Sequence, residues 1–204
     1  MAGKRDTPAM RQYAAFKKRH PDCVLFFRMG DFYEMFDDDA RLVHRVLGLA
    51  LTERTEGIPM AGVPHHQLDA YLRRMIDAGH RVAVCDQVQD AAEAKGVVER
   101  AVTRVVTPGT LVDETLLEEG ESPHLAAVGF FGSGDDPAGP AAAAVVELST
   151  GAFHLFDCPA GELAGELAAW GVREALFAQT ASGETPERVR RVLDAAGVSR
   201  SEER

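Results

Sequence analysis

The sequence predicts a mixed α/β protein in two units, the first a mixed sheet with flanking helices. Three observations carry that reading. Short apolar runs rich in aromatic and β-branched residues alternate with segments whose apolar residues recur every three or four positions. Gly- and Pro-rich breaks separate them. Charge also divides the chain: the first 110 residues hold 16 Lys and Arg against 15 Asp and Glu, and the remainder hold 6 against 17.

In chain order, Thr7-Pro8 reads as an N-cap followed by proline at the first helical position. Met10, Tyr13, Ala14 and Phe16 give that helix an apolar face, which ends before Pro21. Val24-Leu25-Phe26-Phe27 predicts a buried strand, stopped by Gly30. Phe36, Ala40, Val43 and Leu47 then fall at helical spacing and predict an amphipathic helix reaching Gly48. Residues 49–52 are expected to form a strand. Residues 56–64 are expected to be an irregular loop, because Gly and Pro recur through them. A helix carrying Leu68, Leu72, Met75 and Ile76 follows, stopped by Gly79, then strands over 81–88 and 97–106.

Residues 113–122 hold five acidic side chains and read as an exposed linker or hinge helix. Beyond them, 125–131, 143–148 and 152–156 predict three strands joined by Gly-rich turns. A helix over 162–170, a strand over 175–178 and a polar helix over 186–196 complete the expected order.

Composition narrows the function classes. The chain has 204 residues, a formal net charge of −10 and 46% hydrophobic residues, ordinary for a globular protein. No apolar run is long enough to cross a bilayer, and the basic start lacks the apolar stretch of a secretory signal. Cys23, Cys85 and Cys158 are odd in number and far apart, which argues against structural disulfides and zinc and for a reducing, cytoplasmic setting. The acidic total belongs to the second half. In the opening twenty residues Lys4, Arg5, Arg11, Lys17, Lys18 and Arg19 outnumber Asp6, so the first half stays open as a nucleic-acid surface.

The segment Phe26-Phe27-Arg28-Met29-Gly30-Asp31-Phe32-Tyr33-Glu34-Met35-Phe36 places two large aromatics and a carboxylate directly after a strand-ending glycine. Glycine there permits a tight turn and close backbone approach to a ligand. By spacing alone, Phe32 and Phe36 read as core beneath the following helix. Asp37-Asp38-Asp39 does not converge on a metal, since consecutive helical residues diverge, and it suits a helix N-terminus.

The segment Gly30-Asp31-Phe32-Tyr33-Glu34 closely resembles the GxFYE mismatch-recognition motif of the MutS family. Ile58-Pro59-Met60-Ala61-Gly62-Val63-Pro64, Val82-Ala83-Val84-Cys85-Asp86-Gln87-Val88 and Val106-Thr107-Pro108-Gly109-Thr110 resemble three further signatures of that family's N-terminal domain, in its order and at its spacing. The resemblance covers essentially residues 7–180 and reverses the reading of Phe32 as core. It implies a mismatch-recognition domain over 1–112, a linker over 113–123 and the start of an RNase H-like connector domain, cut short, over 124–204.

The same resemblance implies that Phe32 wedges into the minor groove and stacks on a mispaired base, and that Glu34 hydrogen-bonds it. Wedge insertion costs least where pairing is already broken. Met29, Gly30 and Tyr33 are expected to shape the loop, and Asp31 either caps the turn or touches DNA. Arg54 and His66 are expected to hold phosphates, with His65 beside them. The implied partner is double-stranded DNA with mismatches or small loops, with a MutL-type repair protein meeting the connector. The setting implied is the bacterial cytoplasm, nucleoid-associated when DNA-bound, with no membrane. Full-length members carry an ATPase, a lever and a clamp. No GxxxxGK[ST] phosphate loop occurs here, so no cofactor and no enzyme activity are expected of this chain, ATP and magnesium belong with the ATPase, and dimerisation requires the further domains. Two other classes stand beside this reading. One is an interaction module acting through the acidic connector; the other is a nuclease, for which Glu147 and Asp157 are too few carboxylates.

Overall fold

The structure is a computed structural model that describes residues 7–55, 57–89, 96–111, 116–117, 122–132, 136–180, 182 and 184–203. It divides into two compact units, Met1–Val106 and Thr107–Arg204.

The first unit opens with helix α1 (Pro8–Arg19), capped by the Thr7 side chain, which accepts from the Met10 amide at 3.3 Å. Strands β1 (Val24–Met29) and β2 (Phe32–Phe36) form a hairpin, followed by α2 (Asp37–Leu47), β3 (Thr52–Thr55) and β4 (Ile58–Pro64). A single 3₁₀ turn (His65–Gln67) leads into α3 (Leu68–Asp77), then β5 (Val82–Gln87) and β6 (Arg100–Val106). The sheet order is β3-β4-β2-β1-β5-β6, with β1 and β5 parallel and the other neighbours antiparallel.

Both faces of this sheet are buried, as the unbroken apolar run of β1 requires. Leu25 and Phe27 pack with Tyr13 and Phe16 of α1, with Phe36, Ile58 and Cys85 completing that cluster. The alternate residues Val24 and Phe26 are equally buried and face away from α1, on the side where α2 and α3 pack. The predicted helical face of Phe36, Ala40, Val43 and Leu47 is wholly buried. Ala14, expected on the apolar face of α1, is exposed.

Asp39 does more than complement a helix dipole. Buried to 6% exposure, its carboxylate accepts from the Lys17 ammonium at 2.8 Å, the Tyr13 hydroxyl at 3.2 Å and the Leu25 amide at 3.0 Å. It ties α1, β1 and α2 together.

Two sequence expectations are corrected here. The segment after Leu49 becomes a strand at Thr52–Thr55 rather than at 49–52. The supposed irregular loop is β4, which lies between β3 and β2 and bonds to both. Tertiary pairing on two sides overrides the low strand propensity of Pro and Gly. Gly62 lies against the backbone and side chains of β2, with room for a Cβ in ordinary contact. A Cβ there would come within 3.5 Å of the Tyr33 carbonyl oxygen and 3.9 Å of both the Glu34 and Phe32 side chains.

In the second unit, β7 (His124–Phe130), β8 (Pro140–Glu147) and β9 (Ala152–Pro159) form an antiparallel meander. Helix α4 (Leu163–Ala169), strand β10 (Val172–Ala178), helix α5 (Glu187–Ala196) and β11 (Ser199–Glu203) follow. The order β11-β10-β7-β8-β9 is mixed, with β10 parallel to both its neighbours. The last strand lies beyond the elements expected from the sequence. Leu163, Leu167, Val189 and Leu193 of the two helices pack on Ala126, Ala143, Val145 and Phe177 on one face of this sheet. Gly109 belongs to this unit. Its amide donates to the buried Glu174 carboxylate at 3.0 Å, and a Cβ there would lie 2.7 Å from the Glu174 Cβ. Of the expected exposed linker over 113–122 only residues 116, 117 and 122 are described, and Leu116 is buried.

Candidate nucleic-acid interface

The hairpin β1–β2 sets the site. Met29 pairs with Phe32, so Gly30 and Asp31 alone make the turn. Gly30 has φ of 62°. A two-residue turn with glycine in that conformation at its first central position matches the twist of the flanking strands. The Arg28 side chain donates to the Gly30 carbonyl, and the Asp31 carbonyl accepts from the His65 amide at 2.9 Å. The turn is thus tied down on both sides.

Alternation along β2 then sorts the candidate residues. Phe32 and Glu34, two apart, share the α1 side of the sheet, while Tyr33 and Met35 point the other way and are buried. Helix α1 covers Phe27 and Phe36 but leaves Phe32 47% exposed. Among the described Phe and Tyr side chains of the first unit, it alone is exposed. Burial of an aromatic ring is worth a few kcal/mol, so a hairpin that leaves one in water is presenting it.

Cross-strand pairing puts Met29 on the same side as Phe32, and Phe27 on the same side as Glu34. Glu34 is ion-paired: the Arg54 guanidinium bonds its carboxylate, with the two side chains 41% and 13% exposed respectively. Arg54 lies where the β3–β4 register shifts, between Glu53 and Thr55. Such irregularities re-aim a side chain. Tyr33 supports the hairpin from the opposite face, donating to Asp86, whose second oxygen accepts from Thr103 at 2.6 Å. Burial, with the Asp86 carboxylate adding to it, pushes the Tyr33 phenol up to about 12. His66 is exposed in the 3₁₀ turn after β4, its ring 5.8 Å from that of His65.

Phe32, Glu34, Met29 and Arg54 therefore converge on one face. Gly30 and Asp31 make the turn, Tyr33 is a buried strut, and His66 sits beyond β4. Two participants were given no role by the sequence reading, although Asp86 falls within one of the family signatures. Arg100, at the start of β6, is only 9% exposed and bonds β1 and α1. Asp86 holds Tyr33. Pairing across strands distant in sequence brings both to the hairpin.

In the second unit, Glu147 shares the helix-covered side of the sheet with Ala143 and Val145, whereas Asp157 pairs with Ala142 on the opposite side. These carboxylates cannot converge on one ion. Hydrogen bonds from Ser149 and Thr150 hold the Glu147 carboxyl below its ordinary range. Among the described residues no group of three or more His, Cys, Asp or Glu could hold a metal, and no helix is long and apolar enough to cross a membrane.

Fold and site define a presenting module: a doubly covered sheet that fixes one aromatic side chain in solvent beside an Arg–Glu pair. The family model for MutS domain I matches residues 7–115. A DNA mismatch repair protein MutS from Sorangium cellulosum is 48% identical over 87% of this chain and 20% of its own length. Its counterpart from Symbiobacterium thermophilum is 51% identical over 72% of this chain and 17% of its own. That from Anaeromyxobacter dehalogenans is 41% identical over 97% of the chain and 23% of its own. The chain belongs to the MutS family, and spans about a fifth of the length of the curated relatives it matches.

Proposed function

We propose that the first unit recognises mismatched base pairs in DNA during mismatch repair, with Phe32 as the wedge and Glu34 as its polar companion. The observation that carries this reading is the exposure of Phe32 at the tip of a braced hairpin in a MutS domain I. An aromatic wedge unstacks a base step at a cost of a few kcal/mol, least where pairing is already lost. Stacking accepts any base, so discrimination comes from the deformability of the duplex. The Arg54–Glu34 pair bears on the electrostatics. A bare carboxylate would repel phosphates, whereas paired with a guanidinium it carries little net charge toward them. Gly30, Asp31, Met29 and Tyr33 build the mount, and Arg54 and His66 supply phosphate contacts.

The test is a titration of the chain with matched and single-mismatch duplexes at low and moderate salt. Phe32→Ala is expected to abolish the preference for the mismatch, and Glu34→Ala to narrow it. A preference that survives Phe32→Ala overturns the wedge.

A second reading concerns residues 124–204 as the start of an RNase H-like connector that meets a MutL-type partner. Phe153 and Leu155, 64% and 73% exposed on the sheet face away from α4 and α5, favour it. Capture of the partner by the chain, lost on changing both residues to serine, supports this reading; capture that persists overturns it.

A further inference from the structure

Arg100 stands apart from the other described cations of the first unit in being buried, at the root of the hairpin. The parallel β1–β5 pairing runs from Val24↔Val82 to Phe27↔Cys85, and β1 continues past it to Met29. There the Arg100 side chain takes over. Its Nε donates to the Arg28 carbonyl at 2.8 Å, and one Nη donates to both Gln12 Oε1 and the Val98 carbonyl at 2.9 Å. The other Nη lies 3.4 Å from the Met29 sulfur, and the guanidinium carbon sits 4.8 Å above the Phe27 ring centroid. Met29 is the residue paired with Phe32.

Taking a guanidinium out of water costs several kcal/mol unless its donors are met and the geometry is tight. Here all three nitrogens have acceptors, and burial lowers its pKa from the ordinary value. Four of its five N–H donors are thus directed at protein groups, and only one Nη hydrogen is left over. What its burial secures is the height and angle of the last two residues of β1. A recognition group must be held to within roughly 0.5 Å and 10–20° to work. We infer that Arg100 is a positioning residue for the wedge: past the last β1–β5 pair its planar fork holds the Arg28 carbonyl and the Met29 side chain, and so fixes where Phe32 stands.

The inference rests on the wedge reading above, and its test separates the two. Lysine at this position keeps the charge but cannot span Arg28, Gln12 and Val98 at once. Arg100→Lys is expected to speed amide hydrogen exchange at Gly30, Asp31 and Phe32 by about tenfold, with Ala83 and Val84 in the sheet centre unchanged. The mismatch-to-matched affinity ratio falls by a similar factor, while matched-duplex affinity and its salt slope stay as they were. Gln12→Ala, which removes one acceptor and leaves the guanidinium, is expected to do the same to a smaller degree and carries the test if Arg100→Lys fails to fold. Hairpin exchange unchanged in the folded variants overturns the inference. So does a parallel loss of affinity and salt slope on both duplexes, since that is the signature of a phosphate contact. Phe32→Ala in the same titration reports on the wedge itself: an unchanged ratio there sinks the wedge reading, while the exchange measurement still decides whether Arg100 braces the turn.

Discussion

The two sheets treat their exposed apolar side chains differently. In the first, helices cover both faces and one ring, Phe32, is left out at a turn held by hydrogen bonds from His65 and Arg28. In the second, α4 and α5 cover one face, and the other runs through Leu125, Ala127, Ala144, Val146, Leu155 and Phe153 toward the β9 edge. A lone ring on a braced turn has one orientation and suits a specific contact. An open sheet face offers area without orientation and suits packing against another surface. Exposure alone therefore does not mark a site; exposure with a fixed mount does.

The largest effect should come from moving the truncation within the first sheet. Phe26→Ala removes a fully buried ring and is expected to cost about 3–5 kcal/mol in denaturant unfolding. Phe32→Ala should change stability by no more than about 0.5 kcal/mol while removing mismatch preference. Equal stability losses at the two positions would mean that Phe32 is packed as Phe26 is.

Next in size is the hub between helices. Asp39→Ala leaves the Lys17 ammonium and the Leu25 amide without their carboxylate and is expected to lower stability by about 2–3 kcal/mol. Asp38→Ala, on the exposed side of the same helix start, serves as its control.

High pH should loosen the first sheet. Burial pushes the Cys85 thiol up to about 12 from 9.0, and Tyr33 to about 12 from 10.0. Both groups are protonated in the folded and unfolded chain below pH 9. Above that the unfolded chain sheds protons that the folded chain retains, so stability falls progressively as pH rises through this range. Denaturation midpoints measured across that window should decline, and Tyr33→Phe should reduce the part that begins near pH 10, the rest of which comes from the buried Tyr13 phenol, also held above its ordinary value. A flat profile would mean that neither group is held as described.

The smallest effect is expected on the open face. Replacing Phe153 and Leu155 with serine should alter stability by about 0.5 kcal/mol or less per site and reduce binding of a hydrophobic dye. A large loss of stability would show that this face is already packed.

Much of this was legible from local pattern. Phe36, Ala40, Val43 and Leu47 announced α2, Thr7-Pro8 announced α1, and the aromatic run announced β1, because each signal lies within a few residues of the element it specifies. The segment Ile58–Pro64 was misread. Its strand state depends on β2 and β3 bonding it from both sides, and no local pattern in a Pro- and Gly-containing stretch encodes that. The roles of Arg100 and Asp86 were invisible for a related reason. Each matters through a partner more than fifty residues away, Arg100 through Arg28 and Asp86 through Tyr33.

The sequence by itself determined the family, the order of most elements and the turn glycine that makes the hairpin possible, since these reside in residue identity and short spacing. Only the tertiary structure decided that Phe32 stands in solvent while Phe27 and Phe36 do not, that Glu34 is paired with Arg54, and that Arg100 holds the strand end beneath the ring. The physical reason is that burial and pairing are properties of neighbours in space: α1 covers one end of a sheet face and stops short of the other.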